Sequence, residues 1–419
     1  MSEPIRINRK RPLSLFEGFG VEMEYMITDS DTLKILPVSD KILQHRSGRI
    51  VSETSAENMA WSNELVLHVI EIKTDGAAID LSSLPVGFQE QVSEINSILD
   101  IYGARLMPGA MHPWMDPYSE AKIWPHEYNA IYEAYNRIFD CRGHGWANLQ
   151  STHLNLPFNG DDEFGKLHAA IRLVLPLIPA MAASSPFADG ERKSFLDFRM
   201  ETYRTNSQRI PSITGKIVPE QVFTKEEYDR QIFQRMYRDI APFDTEGILQ
   251  EEWLNSRGAM SRWDRQTIEI RVIDIQENPI ADIAIIEWIV NLIKALIEER
   301  LISFEDQITY KETDLYNILM ETIKYGEQAV ITNKKYLSIF GLNETSITAS
   351  ELCETIYSHL SPDYSFSNGS KKHLDLIFKK GPLGRRILNA LPENFNREEL
   401  FIVYANLCDC LKYGKPFDV

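Results

Sequence analysis

The sequence predicts an α+β fold: a mostly antiparallel sheet with one polar face, helical segments between its strands, and a helical C-terminal region. Three observations predict it. Three short apolar segments alternate with period two, and each carries two polar residues on one face. Segments of helical period lie between them. Residues 301–419 read as helices throughout.

The first strand is Phe19-Gly20-Val21-Glu22-Met23-Glu24-Tyr25. Alternation turns Glu22 and Glu24 to one face and Phe19, Val21, Met23 and Tyr25 to the other. Asn63 to Lys73 reads as a second strand region, carrying Glu64 and Glu71. Their odd separation puts them on opposite faces of a regular strand, so a bulge or bend must intervene if both serve one site. Without it, Glu71 is the site candidate. Val92, Ile95, Ile98, Leu99 and Tyr102 mark a helix over 88–102. A strand ends at Met107-Pro108, and the turn from Gly109 to Trp114 follows.

Tyr128, Ile131, Tyr132, Tyr135, Ile138 and Phe139 share one face of the next helix. Glycines 143 and 145 lead into the strand Thr152-His153-Leu154-Asn155-Leu156, with His153 and Asn155 on one face. An apolar helix spans 163–183 and stops at Ser184-Ser185-Pro186. Arg192, Arg199, Arg204 and Arg209 follow, and 211–263 reads as an irregular insert. The strand from Thr267 to Ile275 presents Glu269 and Arg271 together, opposite Ile268, Ile270 and Val272. A helix spans 281–300. Leu315, Ile318, Leu319 and Ile323 mark another, and 400–411 a last one.

The polar pairs carry chemistry. Buried carboxylates need a cation or strong donors, and two side by side need them more. Acids and histidine supply ligands for a divalent ion, and oxygen-rich sets favour Mg²⁺ or Mn²⁺. Arginine supplies planar contact to phosphate. A single stripe of this kind also fits a solvated edge strand or a satisfied core histidine. Three stripes together describe a metal–nucleotide site on a sheet face.

Composition bounds the function. The chain has 419 residues, enough for a large core, and a formal net charge of −17. That charge argues against nonspecific nucleic-acid or anionic-membrane binding. Four sparse cysteines, Cys141, Cys353, Cys408 and Cys410, have no zinc spacing and read as free thiols. The apolar stretch 173–183 is too short to span a bilayer. No signal-like segment is visible, and a cytoplasmic location is expected. The sequence fits a monomer or a homo-oligomer equally.

The ordered pieces Gly20-Val21-Glu22-Met23-Glu24, Glu64-Leu65 through Glu71-Ile72, Gly109 to Pro113, His153-Leu154-Asn155, Ser184 to Phe187 with Gly190, Glu269-Ile270-Arg271 and Gly381 to Arg386 resemble the type 2 glutamate–cysteine ligase family, or carboxylate–amine ligases, of the glutamine synthetase-like superfamily. The resemblance implies a mostly antiparallel sheet curved around a cleft that holds ATP and Mg²⁺, with helices on its outer face. By match of position, Glu22, Glu24, Glu71, His153 and Glu269 resemble metal ligands, and Arg271 resembles the arginine on the nucleotide phosphates. Arg271, Glu24 and Glu269 are the expected catalytic set. Arg262 and Arg265 are candidates for further phosphate contact. Arg199, Arg204, Glu64 and Asn155 are candidates for substrate contact.

The implied reaction is acyl activation by ATP, with glutamate as the expected carboxylate and an unidentified amine as acceptor. Residues 1–300 would form the catalytic unit, with 190–263 as its lid, and 301–419 would pack on it. This sequence departs from the family pattern in two places. Glu191 to Arg199 lacks the usual Thr-Gly-Tyr element, and Asn155 stands where many members have a second histidine. The same ATP site could also serve a phosphotransferase acting on nitrogen, or a noncatalytic ATP-binding homologue. The intact acid set argues against the latter.

Overall fold

The structure, a computed structural model, describes residues 7–8 and 12–418. Its centre is an eight-stranded sheet, antiparallel at every pairing. The strands are β1 (Gly20–Asp29), β2 (Glu53–Ala56), β3 (Met59–Asn63), β4 (Val69–Thr74), β5 (Ala104–Met107), β6 (Ser151–Pro157), β7 (Ala259–Arg262) and β8 (Thr267–Asp274). Their spatial order is β7-β8-β6-β1-β4-β3-β2. Met26 pairs with both Val69 and Met107, so β5 takes the edge of β1 that β6 leaves.

The period-two reading holds for the three site strands. Val21, Met23, Tyr25, Leu154, Leu156, Ile268 and Ile270 are buried in one apolar core. Helix α1 (Leu84–Leu99), helix α2 (Asn129–Phe139) and helix α3 (Gly160–Val174) contribute to that core, as does the longest helix, α4 (Pro279–Ile297). The Asn278 side chain caps α4 by accepting from the N–H groups of Ile280 and Ala281, and Pro279 opens its first turn. Gly20 is required by close approach: a Cβ there would sit 2.9 Å from the Cβ of Asn155 on β6.

Several readings need correction. Residues 63–73 are not one strand: β3 ends at Asn63, and a turn through Glu64–His68 reverses the chain into β4. The expected helix 163–183 begins at Gly160 and is broken by a tighter turn over Leu175–Leu177, where Pro176 removes a donor. The whole run Gly160–Ala182 is long and apolar enough to cross a membrane by composition, but 94% of its apolar window is buried in the protein. The expected irregular insert contains a continuous helical run over 225–240. Its Tyr228, Ile232, Met236 and Ile240 are fully buried.

Residues 301–418 are mainly helical, with one small strand pair, Val330–Ile331 and Ile347–Thr348. The last helix, α5 (Arg397–Tyr413), packs Leu400, Tyr404 and Leu407 against Met26 and Met107 of the central sheet. Arg386 and Glu277 form a fully buried ion pair at 2.6 Å, and Arg386 also donates to the Phe417 carbonyl at 2.8 Å. The C-terminal region is thereby tied to the segment that precedes α4.

Candidate active site

Sheet register builds the site. Glu22 lies opposite His153 on one side and Lys73 on the other. Glu24 lies opposite Glu71, which faces Ser62 in turn. Asn155 lies between Gly20 and Glu269. Paired residues share a face, so these side chains form a continuous polar ridge. Ser151, next along that face, donates its backbone N–H to Glu24 Oε2 at 2.8 Å.

His153 is the centre of the ridge. Its Nδ1 is 3.0 Å from Glu22 Oε2 and 3.8 Å from Glu269 Oε1. Its Nε2 is 2.8 Å from Ser151 Oγ and 3.7 Å from Glu24 Oε1. Burial pulls the imidazole down, but the bond to Glu22 and the nearby acids outweigh it, and its pKa rises to about 9. Burial pushes Glu22 up, yet the His153 bond leaves it below the ordinary value. Glu24 is raised, chiefly by burial. Glu269 opposes its own burial through Arg271, whose Nε donates to it at 2.6 Å, and ends lowered. Lys73 is raised in spite of burial, because it contacts Glu71 at 3.1 Å and Glu53 at 2.8 Å.

Among the described residues, two groups have the spacing a metal ion needs. Ligand atoms of Glu22, His153 and Glu269 lie within 4.8 Å of one another, and so do those of Glu24, Glu71 and His153. Carboxylate oxygens with one imidazole nitrogen fit Mg²⁺ or Mn²⁺.

The ridge separates two chambers. One, of about 520 Å³, is lined by Glu24, Glu64, Ser151, His153, Arg199, Arg262, Arg265 and Arg271, with an aromatic wall beyond. The other, of about 390 Å³, is lined by Glu22, Lys73, Asn155, Arg265, Gly20, Gly76 and Thr74 among others. Asn155 donates to Glu22 Oε1 at 3.2 Å, while its Oδ1 is buried without a partner.

Glu64 does reach the ridge. The turn after β3 lets it line the larger chamber beside Glu24, and burial together with the charges of Glu24 and Glu71 raises its pKa well above the ordinary range. Arg199 is buried at the chamber floor, where its Nε donates to Asp274 and its terminal nitrogens reach the Arg271 carbonyl at 3.3 Å. Arg262 lines the chamber while bonded to Asp264. Arg204 is not brought in: its guanidinium is bonded twice, at 2.6 Å, to Glu201 one turn away, and it lines neither chamber. His112 is a buried turn residue, bonded to Leu33, Trp114 and Met115.

The alternation argument missed Asp274. A register shift between Ile270 and Ile273 inserts one extra residue into β8, and Asp274 then lies opposite Ser151 on the site face. Strict alternation from Glu269 and Arg271 would place it on the back. Ser151 and Ser62 were also missed; Ser62 Oγ donates to Glu71 at 2.6 Å. Their parity with His153 and Glu64 was the available signal for each.

The family model for glutamate-cysteine ligase family 2 (GCS2) matches residues 18–336. An uncharacterized protein of Archaeoglobus fulgidus is 32% identical over 95% of this chain and 99% of its own length. A Bradyrhizobium diazoefficiens protein provisionally named glutamate–cysteine ligase 2 is 22% identical over 90% of this chain and 81% of its own. Among solved structures, the glutamate–cysteine ligase of Francisella tularensis in complex with AMP superimposes with a TM-score of 0.61 at 10% identity, over 94% of this chain and 89% of that one. A bifunctional glutathione synthetase from Pasteurella multocida gives 0.58 at 12% identity, over 95% of this chain and 53% of that one. These likenesses share the antiparallel α+β architecture. With its family model spanning the ridge from Glu22 to Arg271, the chain belongs to glutamate–cysteine ligase family 2.

Proposed function

We propose that this protein is an ATP-dependent ligase that joins a carboxylate to an amine through an acyl phosphate, with the γ-carboxyl of glutamate as donor. The observation that carries the reading is the ridge: Glu22, Glu24, Glu71 and Glu269 around one imidazole, between two chambers with arginines at one end. Bound divalent ions would supply the charge that phosphoryl transfer demands. Glu22 and Glu269 would hold one and Glu24 and Glu71 another, with the His153 imidazole completing one of the two sets.

The chain's own groups do the rest. Arg271 is fixed by Glu269 and Arg199 by Asp274, so both present guanidinium groups in settled positions toward the larger chamber. Fixed donor forks of this kind hold carboxylate or phosphate oxygens without reorganising. The donor carboxylate oxygen attacks the γ-phosphorus and ADP leaves. The amine nitrogen then attacks the acyl carbon, phosphate leaves, and the nitrogen gives up a proton. Arg262, Arg265, Glu64 and Asn155 border the two chambers and are assigned to orienting the reactants. Residues 190–263 supply Tyr203, Asn206, Trp253 and Ser256 to one wall, a placement that suits a cover against water.

The test is ATP-dependent phosphate release with magnesium, across amines, with and without glutamate, and products read by mass spectrometry. Release that requires glutamate and an amine, with a product one water lighter than their sum, supports the ligase. ADP with a phosphorylated substrate and no free phosphate would assign the site to phosphoryl transfer onto nitrogen instead.

A further inference from the structure

The larger chamber has an aromatic wall that a small polar acceptor would not use. Tyr128, Tyr132, Tyr135, Trp146, Tyr203 and Trp253 all line it, whereas the smaller chamber has no aromatic lining residue. The rings come from four separate segments and are already assembled. Tyr135 on α2 lies 5.4 Å from the ring of Trp146 and 5.9 Å from that of Trp253. Tyr128 keeps 56% of its surface exposed, and its φ is 71°, a left-handed conformation unfavourable for a bulky residue. The Tyr203 phenol adjoins the Arg271 guanidinium, so the wall continues to the edge of the ridge.

An amine as small as cysteine would leave most of this wall wet. The chamber volume of about 520 Å³ lies in the range that encloses a larger organic ligand. Flat rings gain from offset and edge contacts with aromatic side chains beyond simple burial. We propose that the acceptor is a primary amine carried on an aromatic or similarly flat apolar body, which lies against this wall with its nitrogen toward Glu24 and Glu64. The inference rests on the ligase reading above. It assigns the aromatic wall to the acceptor and leaves the arginine end of the same chamber, with the glycine-lined, lysine-bearing chamber, to the carboxylate and the nucleotide.

The experiment compares phenethylamine and tryptamine with cysteine and ethylamine as acceptors at saturating ATP, magnesium and glutamate. An aromatic preference of about tenfold or more in kcat/KM is expected. Trp253→Leu and Tyr128→Ala should raise KM for the aromatic amine by about tenfold and leave KM for ATP and glutamate within about twofold. Circular dichroism checks that both variants fold, and Tyr128, being exposed, can be truncated without opening the core. Equal use of ethylamine or cysteine overturns the proposal. So does a rise in KM for ATP in the variants, which would make the wall the seat of the adenine. If no amine supports phosphate release, the ligase reading falls, and calorimetric titration of phenethylamine into the magnesium–ADP form decides the wall by itself. Binding weakened by Trp253→Leu upholds an aromatic site, and no binding overturns it.

Discussion

The Glu22 carboxylate and the His153 imidazole face each other across paired strands at 3.0 Å, and Ser151 fixes the far side of the same ring at 2.8 Å. The ring is therefore oriented from both nitrogens, and Ser151 also touches Glu24. Outer hydrogen bonds of this kind set ligand orientation and basicity. Ser151→Ala should raise the divalent-ion concentration needed for half-maximal activity by about 10- to 100-fold. A magnesium titration of the rate checks this, and an unchanged requirement would remove Ser151 from the ion sites.

Glu24→Gln keeps the shape of the ridge and removes one charge. Turnover should fall by about a thousandfold or more, as for loss of a fixed transition-state contact. Arg204→Gln is the matched control: its pair with Glu201 is partly exposed and lies outside both chambers, so the rate should stay within about twofold. Phosphate release measured on both variants checks the assignment. A rate unaffected in Glu24→Gln would sink the metal reading.

Arg386 and Glu277 test the packing of the C-terminal region. Each is fully buried, and Arg386 holds Glu277 below the usual carboxylate range against the effect of burial. Arg386→Met leaves a buried carboxylate unpaired and should cost about 3–5 kcal/mol of stability. Adding Glu277→Leu should recover a large part of that loss. Urea denaturation of the three proteins measures both steps, and a neutral single variant would contradict the pairing.

Two buried histidines set an acid limit. Burial pulls His112 down to about 3 and His68 down to about 4. His112 donates from Nε2 to Leu33 and accepts at Nδ1 from the N–H groups of Trp114 and Met115, so protonation would put a donor against donors. A depressed histidine gives stability that is whole above its unfolded value near 6.5 and is lost as pH falls toward the folded value. Each ring should contribute a slope of up to about 1.4 kcal/mol per pH unit in that window. Denaturation curves from pH 7.5 to 4.5 should show the fall, and His112→Gln should flatten it. A wild-type stability constant across the window would overturn the assignment.

Much of the ridge was legible because strand parity is a strict rule. It placed Glu22 with Glu24, His153 with Asn155, and Glu269 with Arg271, and the register sets those pairs side by side. It failed where the chain is irregular. Glu64 depended on a turn that the mostly apolar run Leu65 to Val69 conceals. The aromatic wall gathers residues from 128 to 253, and only Tyr128, just before α2, with Tyr132 and Tyr135 on it, had a visible pattern. Arg204 looked like a site residue because of the arginines around it. Its partner Glu201, three residues earlier, was the local signal that pointed elsewhere.

The extra residue in β8 makes this strand a counting device. Upstream of it, odd positions look into the cleft; downstream, even ones do, and Asp274 can grip Arg199 only under the second count. Pairing the same residues without the bulge would leave the sequence intact while turning Asp274 toward the apolar back of the sheet. Arg199 would then lose its anchor, and the cleft its floor. That one-residue offset between paired strands is as much a part of the site as the residues that touch a ligand.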